Sequence, residues 1–261
     1  MNNRVWADEA GPESGPLVVL IHGSMDRSSG MLKLSRALDG RCRVARYDRR
    51  GYGRSAMTTS ADGSFKSFGS FTMTDQVDDL AEVIAGRSAV LVGHSYGGNV
   101  ALATAQRHQH LVSAIAIYET PLSWMPWWPG NTAGGAAVAM ADAPEAAAER
   151  FMRRMIGDQR WEALPERTRA TRRREGVAMV GELTDLRDVA PWSAPLVRVP
   201  VLAGLGSLGA AHHQRGMRWI AEHVPTAKLV ELDGCRHDAP LSHPALFASH
   251  MVDPLLRPTV R

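Results

Sequence analysis

Residues 91–98, which read LVGHSYGG, decide the fold of this chain. An apolar run, AVLV at 89–92, leads into them, and a helical pattern, NVALATAQRH at 99–108, follows. A turn this tight between a strand and a helix forces Ser95 into a strained backbone conformation, which requires Gly93 and Gly97 to leave room for neighbouring chain. The Ser95 hydroxyl is then exposed above the sheet, and the Tyr96 N–H at the helix N-terminus points at developing negative charge. The G-x-S-x-G pattern in this setting predicts a nucleophilic serine.

Further short apolar runs extend this pattern along the chain. They lie at 17–21, 44–47, 114–118, 199–205 and 228–232. Their nearly continuous apolar character is typical of parallel strands buried on both faces. Helical patterns separate them, at 74–85 with Thr74 near the N-cap, at 210–224 and at 244–256. This alternation predicts the α/β class, with a mostly parallel central sheet flanked by helices.

One stretch interrupts the alternation of strands and helices. About 75 residues between the runs that end at 118 and begin at 199 carry helical patterns, broken by a turn at 161–165, and no strong strand signal. We interpret residues 120–195 as a helical cap inserted into a core formed by 1–119 and 196–261.

Composition excludes several classes of protein. Among the 261 residues, 30 are basic and 27 acidic, so no net basic surface favours nucleic acid. The arginine run at 167–174 lies in a stretch, 145–188, with ten basic and nine acidic residues, which is typical of a solvated helix face. No apolar run reaches the roughly 18 residues of a membrane span.

The cysteine content and the N-terminal sequence indicate the cellular compartment. Cys42 and Cys235 are the only cysteines, far apart in sequence and without metal-ligand spacing. The N-terminal segment lacks the apolar core of a signal peptide. We therefore expect a cytoplasmic protein without a disulfide, a metal or a cofactor, whose oligomeric state the sequence leaves open.

Two more motifs accompany the stretch at 91–98. His22-Gly23 follows the run LVVLI, and YDRRGYGRS occupies 47–55. With these motifs the sequence resembles the α/β-hydrolase family over nearly its whole length. The resemblance implies an α/β-hydrolase fold, a mainly structural loop at 47–55, and a second oxyanion-hole N–H from Ser24 or Met25 beside that of Tyr96.

The resemblance also suggests the base. A serine near neutral pH needs a base within hydrogen-bond reach and a third group to orient that base. His237, in ELDGCRHDAPLSHP, lies after the last predicted strand and before the last helix, where the family's catalytic histidine lies. Other histidines are expected to be packed or solvated, and adjacent His212 and His213 are expected to lie on different helix faces.

The acidic residue that would orient His237 is less obvious. Many family members carry an Asp after the strand that follows the cap, but Ser207 stands near that position here, and no acid occurs between Asp188 and Glu222. The chain is similar to the subset whose acid follows the strand after the nucleophile helix, which implies Glu119. The alternative interpretation is that Glu119 is a hinge residue bonded to the cap backbone.

The serine nucleophile indicates the reaction. Family members that attack alkyl carbons resemble one another in using an aspartate at the nucleophile position, which is Ser95 here. A serine with two N–H donors suits attack on a carbonyl and formation of an acyl-enzyme instead. The sequence thus predicts a serine hydrolase of small apolar carboxylic esters, lactones and thioesters included. The alternatives are a hydrolase of carbon–carbon bonds in diketones and a non-hydrolytic ligand-binding or cyclase member of the fold.

Aromatic residues concentrate in the predicted cap. Five of the seven tryptophans fall between 120 and 195. They form either a small cap core or the apolar roof of a cleft. On the second interpretation the substrate-binding residues are Trp124, Met125, Trp128 and Trp161.

Overall fold

A seven-stranded sheet forms the centre of the molecule in the computed structural model, which describes residues 4–59, 65–66 and 68–256. Its strand order is β1-β3-β2-β6-β7-β8-β9, with β1 antiparallel to β3 and the other pairs parallel. Strands β4 and β5 form a separate antiparallel pair. The strands are β1 Ala7–Ala10, β2 Leu17–Ile21, β3 Arg43–Tyr47, β4 Thr58–Thr59, β5 Phe65–Lys66, β6 Ala89–His94, β7 Val112–Tyr118, β8 Val201–Gly206 and β9 Ala227–Leu232.

The central strands of the sheet are buried on both faces. Every residue of β2, β6 and β8 is buried, as their continuous apolar sequences require. The register pairs Ile21 of β2 with Gly93 of β6, and Gly93 with Ile117 of β7. The carboxyl ends of β2, β6 and β7 therefore meet at one edge of the sheet, where the loops that follow these strands come together.

Helices cover the sheet and continue to the C-terminal part of the chain. Those outside the long connection between β7 and β8 are α1 Leu32–Ala37, α2 Met73–Ile84, α3 Tyr96–Arg107, α9 Ala211–His223, α10 Ala239–Ser242, α11 Pro244–Phe247 and α12 Asp253–Leu256. The sheet and these helices confirm the α/β-hydrolase fold with a mostly parallel sheet. In the described part of the chain, none of the helices has the length and apolar character needed to cross a membrane.

Local details of the helices and strands differ from the sequence-based expectations. Thr74 lies near the N-cap of α2, as expected, and the N-cap itself is Thr72, which forms a reciprocal capping box with Asp75. The predicted helix at 244–256 is divided by a π-helical turn, Ala248–Val252. Strand β1 was not predicted, since its sequence ADEA is too short and polar to give an alternating pattern.

The connection between β7 and β8, which we call the β7–β8 segment, is helical. Its helices are α4 Ala133–Val138, α5 Pro144–Ile156, α6 Asp158–Glu162, α7 Glu166–Arg174 and α8 Gly176–Asp188. Trp161 lies within α6 and not in a turn. Its buried ring is flanked by the guanidinium groups of Arg153 and Arg173. Arg173 also pairs with Glu149, so acids offset this part of the arginine run.

Candidate active site

The turn after β6 has the strained geometry that its sequence predicts. Ser95 has φ 54° and ψ −124°, and its N–H donates to the Tyr118 carbonyl at 2.9 Å. A side chain at Gly97 would collide with the backbone oxygen of Ile21. The glycine thus lets the first turn of α3 pass against the end of β2, and the strain is maintained by packing.

Backbone strain is concentrated around this turn. Of the four non-glycine residues with positive φ in the described ranges, three lie here: Met25 at 57°, Ser95 at 54° and Glu119 at 45°. Such conformations cost of order 1–3 kcal/mol each and persist where surrounding structure imposes them. Their clustering marks the ends of β2, β6 and β7 as the candidate site.

Glu119 and His237 form a hydrogen-bonded pair. His237 Nδ1 donates to Glu119 Oε2 at 2.8 Å, and the Gly206 N–H donates to Glu119 Oε1 at 3.1 Å. Glu119 is 0% exposed, whereas His237 is part-buried and reaches the same cavities as Ser95. The carboxylate is therefore held on both oxygens and orients the imidazole from behind.

His94 supports the main chain of His237. His94 Nε2 donates to the His237 carbonyl at 2.8 Å, and the two ring centroids lie 4.8 Å apart. Burial, with a smaller contribution from the nearby His237, lowers the pKa of His94 to about 3. His94 is thus a neutral donor at ordinary pH, and its hydrogen bond holds the main chain of His237.

His212 and His213 do not follow the expectation of different helix faces. Both border the site, with ring centroids 4.4 Å apart, because they lie on the first turn of α9. His213 stacks on His237 at 4.7 Å with 27° between the rings. Burial holds the pKa of His213 well below its usual value.

One group of side chains has the chemistry of a metal site. Single donor atoms of Glu119, His213 and His237 lie within 4.8 Å of one another, and such nitrogen and oxygen donors can bind Zn²⁺. In this arrangement His213 stacks on His237, and Glu119 Oε2 is hydrogen-bonded to His237 Nδ1, so the three side chains already contact one another.

Two backbone segments lie next to Ser95. The Tyr96 N–H begins α3, and Gly23 packs so closely on Ser95 that a Cβ there would lie 3.0 Å from Ser95 Cβ. Ser24 borders both cavities that contain Ser95, whereas Met25 borders only one of them. Of the two candidates, Ser24 is therefore the better placed for the second oxyanion N–H.

Two cavities meet at Ser95 and His237, a smaller one of about 230 Å³ and a larger one of about 520 Å³. Phe151 and Met155 of α5 border both. The smaller cavity is also lined by Pro121, Trp128, Thr132, Gly134, Leu183 and His212. The larger is also lined by Met25, Asp26, Met152, Ile156, Arg172 and Leu241.

The predicted substrate-binding residues divide between cavity and core. Trp128 lines the smaller cavity. Trp124, Met125 and Trp161 line neither cavity: Trp161 is 0% exposed in the hydrophobic core, and the partly buried Trp124 and Met125 pack against that core. Composition does not reveal which face of a short apolar segment turns inward, so the sequence could not make this division. Sequence reasoning missed Phe151, which the spacing to Met155 on one helix face could have indicated.

These features place the chain in a family. It belongs to the alpha/beta hydrolase family, whose model matches residues 18–250. Among curated proteins it is similar to a pimeloyl-[acyl-carrier protein] methyl ester esterase of Aromatoleum aromaticum, with 30% identity over 60% of this chain and 69% of that protein. It is also similar to the Chromobacterium violaceum protein of the same name, with 26% identity over 92% of this chain and 94% of that protein.

Solved structures show the same fold at low identity. The enol-lactonase from Burkholderia xenovorans superposes with a TM-score of 0.69 at 22% identity, covering 94% of both chains. A thermophilic esterase from Thermogutta terrifontis gives a TM-score of 0.68 at 21% identity, covering 92% of this chain and 88% of that one. These likenesses concern the fold alone.

Proposed function

We propose that this protein is a serine esterase that cleaves small apolar carboxylic esters through an acyl-enzyme, with Ser95, His237 and Glu119 as its catalytic triad. The observation that carries the proposal is the 2.8 Å bond from His237 Nδ1 to the buried Glu119 carboxylate, beside a serine held at positive φ in a shared cavity. The bond fixes the proton on Nδ1 and leaves Nε2 as the basic nitrogen.

The reaction follows from these positions. Ser95 Oγ attacks the ester carbonyl while His237 Nε2 takes its proton, and the Glu119 carboxylate stabilises the resulting imidazolium. The N–H groups of Tyr96 and Ser24 stabilise the tetrahedral oxyanion. His237 then protonates the leaving alcohol and activates the water that hydrolyses the acyl-enzyme.

The cavities and the relatives support an ester substrate. The smaller cavity has mainly apolar walls, including Trp128, Phe151 and Leu183, which suits a short aliphatic or aromatic group. Two curated relatives are named as methyl ester esterases, and a structural neighbour is named as an enol-lactonase. We assign the β7–β8 segment the role of a cap, because Phe151 and Leu183 come from it.

Replacing the nucleophile tests the proposal. Ser95→Ala should abolish both hydrolysis of p-nitrophenyl esters and labelling by a fluorophosphonate probe, because the alanine has no hydroxyl to acylate. The folded state should persist, as judged by circular dichroism. Ser123→Ala, which removes another hydroxyl from the wall of the smaller cavity, serves as the matched control and should keep labelling.

The substrate panel decides among reaction classes. It contains matched acyl esters, thioesters, a lactone and an aryl diketone. Near-normal ester turnover by Ser95→Ala would refute the nucleophile, and faster cleavage of the diketone than of every ester would replace the esterase proposal with carbon–carbon hydrolysis.

A further inference from the structure

A buried group of charged and hydroxyl side chains lies beside the candidate oxyanion hole, outside the proposed triad. Arg49 and Glu182 are both 0% exposed, and Arg49 Nη1 lies 2.6 Å from Glu182 Oε2. Glu182 Oε1 accepts from Ser24 Oγ at 2.6 Å and from the Tyr52 hydroxyl at 2.7 Å. Both carboxylate oxygens of Glu182 are therefore used.

Arg49 extends this group to the backbone of the loop after β2. Its Nε donates to the His22 carbonyl at 3.0 Å, and its Nη2 donates to the Gly23 carbonyl at 3.1 Å. Its guanidinium lies over the Tyr96 ring, 4.7 Å from the centroid. Arg49 thus contacts Tyr96, which carries one proposed oxyanion donor. It also contacts Gly23, which immediately precedes Ser24, the residue that carries the other.

Peptide geometry relates these contacts to the direction of the Ser24 N–H. The Gly23 carbonyl accepts from Arg49 and also from His22 Nδ1 at 2.8 Å. In a planar trans peptide the C=O and the next N–H point in opposite directions. Holding the Gly23 carbonyl on Arg49 therefore aims the Ser24 N–H away from the buried cation.

The same carboxylate also holds a tyrosine against this loop. The Tyr52 hydroxyl donates to Glu182 at 2.7 Å, and its ring meets His22 edge-on, with centroids 5.6 Å apart. Burial, reinforced by the nearby Glu182 charge, holds the pKa of Tyr52 well above its usual value, so the hydroxyl keeps its proton. Arg49 and Tyr52 therefore both connect the loop after β2 to Glu182.

We propose that Glu182, acting through Arg49, is a positioning residue that sets the direction of the Ser24 N–H in the oxyanion hole. The proposal rests on the esterase mechanism above. Glu182 lies on α8, 158 residues from Ser24 in sequence, so the β7–β8 segment takes part in organising the catalytic loop. An apolar pair could fill the same space without loss of stability, but it could not bind the hydroxyls of Ser24 and Tyr52.

The change Glu182→Gln keeps the size of the side chain and removes its charge. It should lower kcat by about 10- to 100-fold, somewhat less than the loss of a whole oxyanion donor, and leave KM within about twofold. An alkyl boronic acid, which forms a tetrahedral adduct with Ser95, should bind more weakly by a similar factor. A merely structural role would lower stability without this division between kcat and KM.

Asp79→Asn is the matched control. Arg50 and Asp79 form another buried arginine–carboxylate pair, at 2.6 Å, whose residues border neither cavity. This control should leave kcat unchanged, whatever its effect on stability. An equal loss of kcat in both variants, or a folded Glu182→Gln enzyme with normal kcat, would overturn the proposal.

Two further measurements keep the test decisive. If Glu182→Gln does not fold, Arg49→Lys keeps the positive charge but loses the paired contacts with Glu182 and the Gly23 carbonyl, and it should lower kcat several-fold with KM unchanged; normal kcat would refute the proposal. If the wild-type protein cleaves no ester, the proposed function fails instead. Amide hydrogen exchange at 22–25 then still tests the positioning, because Glu182→Gln must accelerate it.

Discussion

At the scale of single residues, the position of Glu119 is the most informative feature of the site. Its backbone is at φ 45°, and its N–H donates to the Gly204 carbonyl at 3.0 Å, so β8 fixes it directly. Its carboxylate accepts from His237 and from the Gly206 N–H. This arrangement fits a residue that orients a histidine, whereas a hinge would bond to backbone of the β7–β8 segment.

Glu119→Gln tests this role. The amide keeps the size of the side chain but loses the charge that stabilises imidazolium at His237, so kcat should fall by up to roughly 10⁴-fold, as when other triad carboxylates become amides. Ester turnover and rate of fluorophosphonate labelling are the measurements. Retention of more than about a tenth of the activity would make Glu119 a hinge residue.

Asp233→Asn supplies the control for charge alone. Asp233 accepts from Ser207 Oγ at 3.0 Å in the neighbouring turn, whereas His237 Nδ1 donates to Glu119. This variant should keep normal turnover. Ser207→Asp in the Glu119→Gln background should recover part of the rate, because Ser207 stands near the position of the usual family acid.

At the scale of elements, the β7–β8 segment divides its aromatic residues between cavity and core. Trp128 borders the smaller cavity and meets His212 edge-on, with ring centroids 4.9 Å apart. Trp161 of α6 is enclosed by the segment's own helices. The two rings should therefore have different effects on catalysis.

Trp128→Ala should change acyl-chain preference. The space left by the ring should raise kcat/KM for hexanoyl relative to acetyl p-nitrophenyl esters by about tenfold, since one or two buried methylenes are worth that much in an apolar pocket. Kinetics across a chain-length series measure this ratio.

Trp161→Ala is the paired change in the same segment. It should lower the free energy of unfolding by about 3–5 kcal/mol and leave the chain-length ratio unchanged, because it removes a core ring. An unchanged ratio in Trp128→Ala, or a shifted one in Trp161→Ala, would contradict the assignment of these rings.

At the scale of the whole molecule, several buried histidines connect stability to pH. Burial lowers the pKa of His94 to about 3 and holds those of His22 and His213 well below the usual value of 6.5. All three are neutral in the folded protein. The unfolded chain binds protons at these residues as the pH falls through 6.5, whereas the folded protein does not.

The free energy of unfolding should therefore decrease as the pH falls from 7.5 to 5.5. Each such histidine contributes a slope of up to about 1.4 kcal/mol per pH unit once the pH is below its unfolded pKa. The contribution of His94 continues to about pH 3, where its folded form is protonated too. Urea unfolding at several pH values measures this slope.

Two substitutions test which histidines cause the pH dependence of the free energy of unfolding. His94→Gln should reduce it, whereas His243→Gln, at an exposed position, should not. A free energy of unfolding that stays level or rises on acidification in this range would show that these histidines are not held neutral.

The site shows which inferences were accessible without coordinates. Ser95 was predicted because its flanking glycines and its place between a strand and a helix are local features. His237 and Glu119 were predicted from position relative to strands and from the absence of an acid between Asp188 and Glu222, helped by family resemblance. The cavity walls were less accessible, since of the four proposed substrate-binding residues only Trp128 lines either of the two cavities.

The sequence by itself determined the buried strands, the tight turn at Ser95 and the residues that chemistry requires there, because hydrophobic period and glycine placement act over a few residues. Tertiary structure alone decided which tryptophans face the cavity, that His213 stacks on His237, and that Arg49 meets Glu182. These contacts join positions up to 133 residues apart in the case of Arg49 and Glu182. Their physical basis is burial, which depends on what the rest of the chain packs against each side chain and which no local pattern encodes.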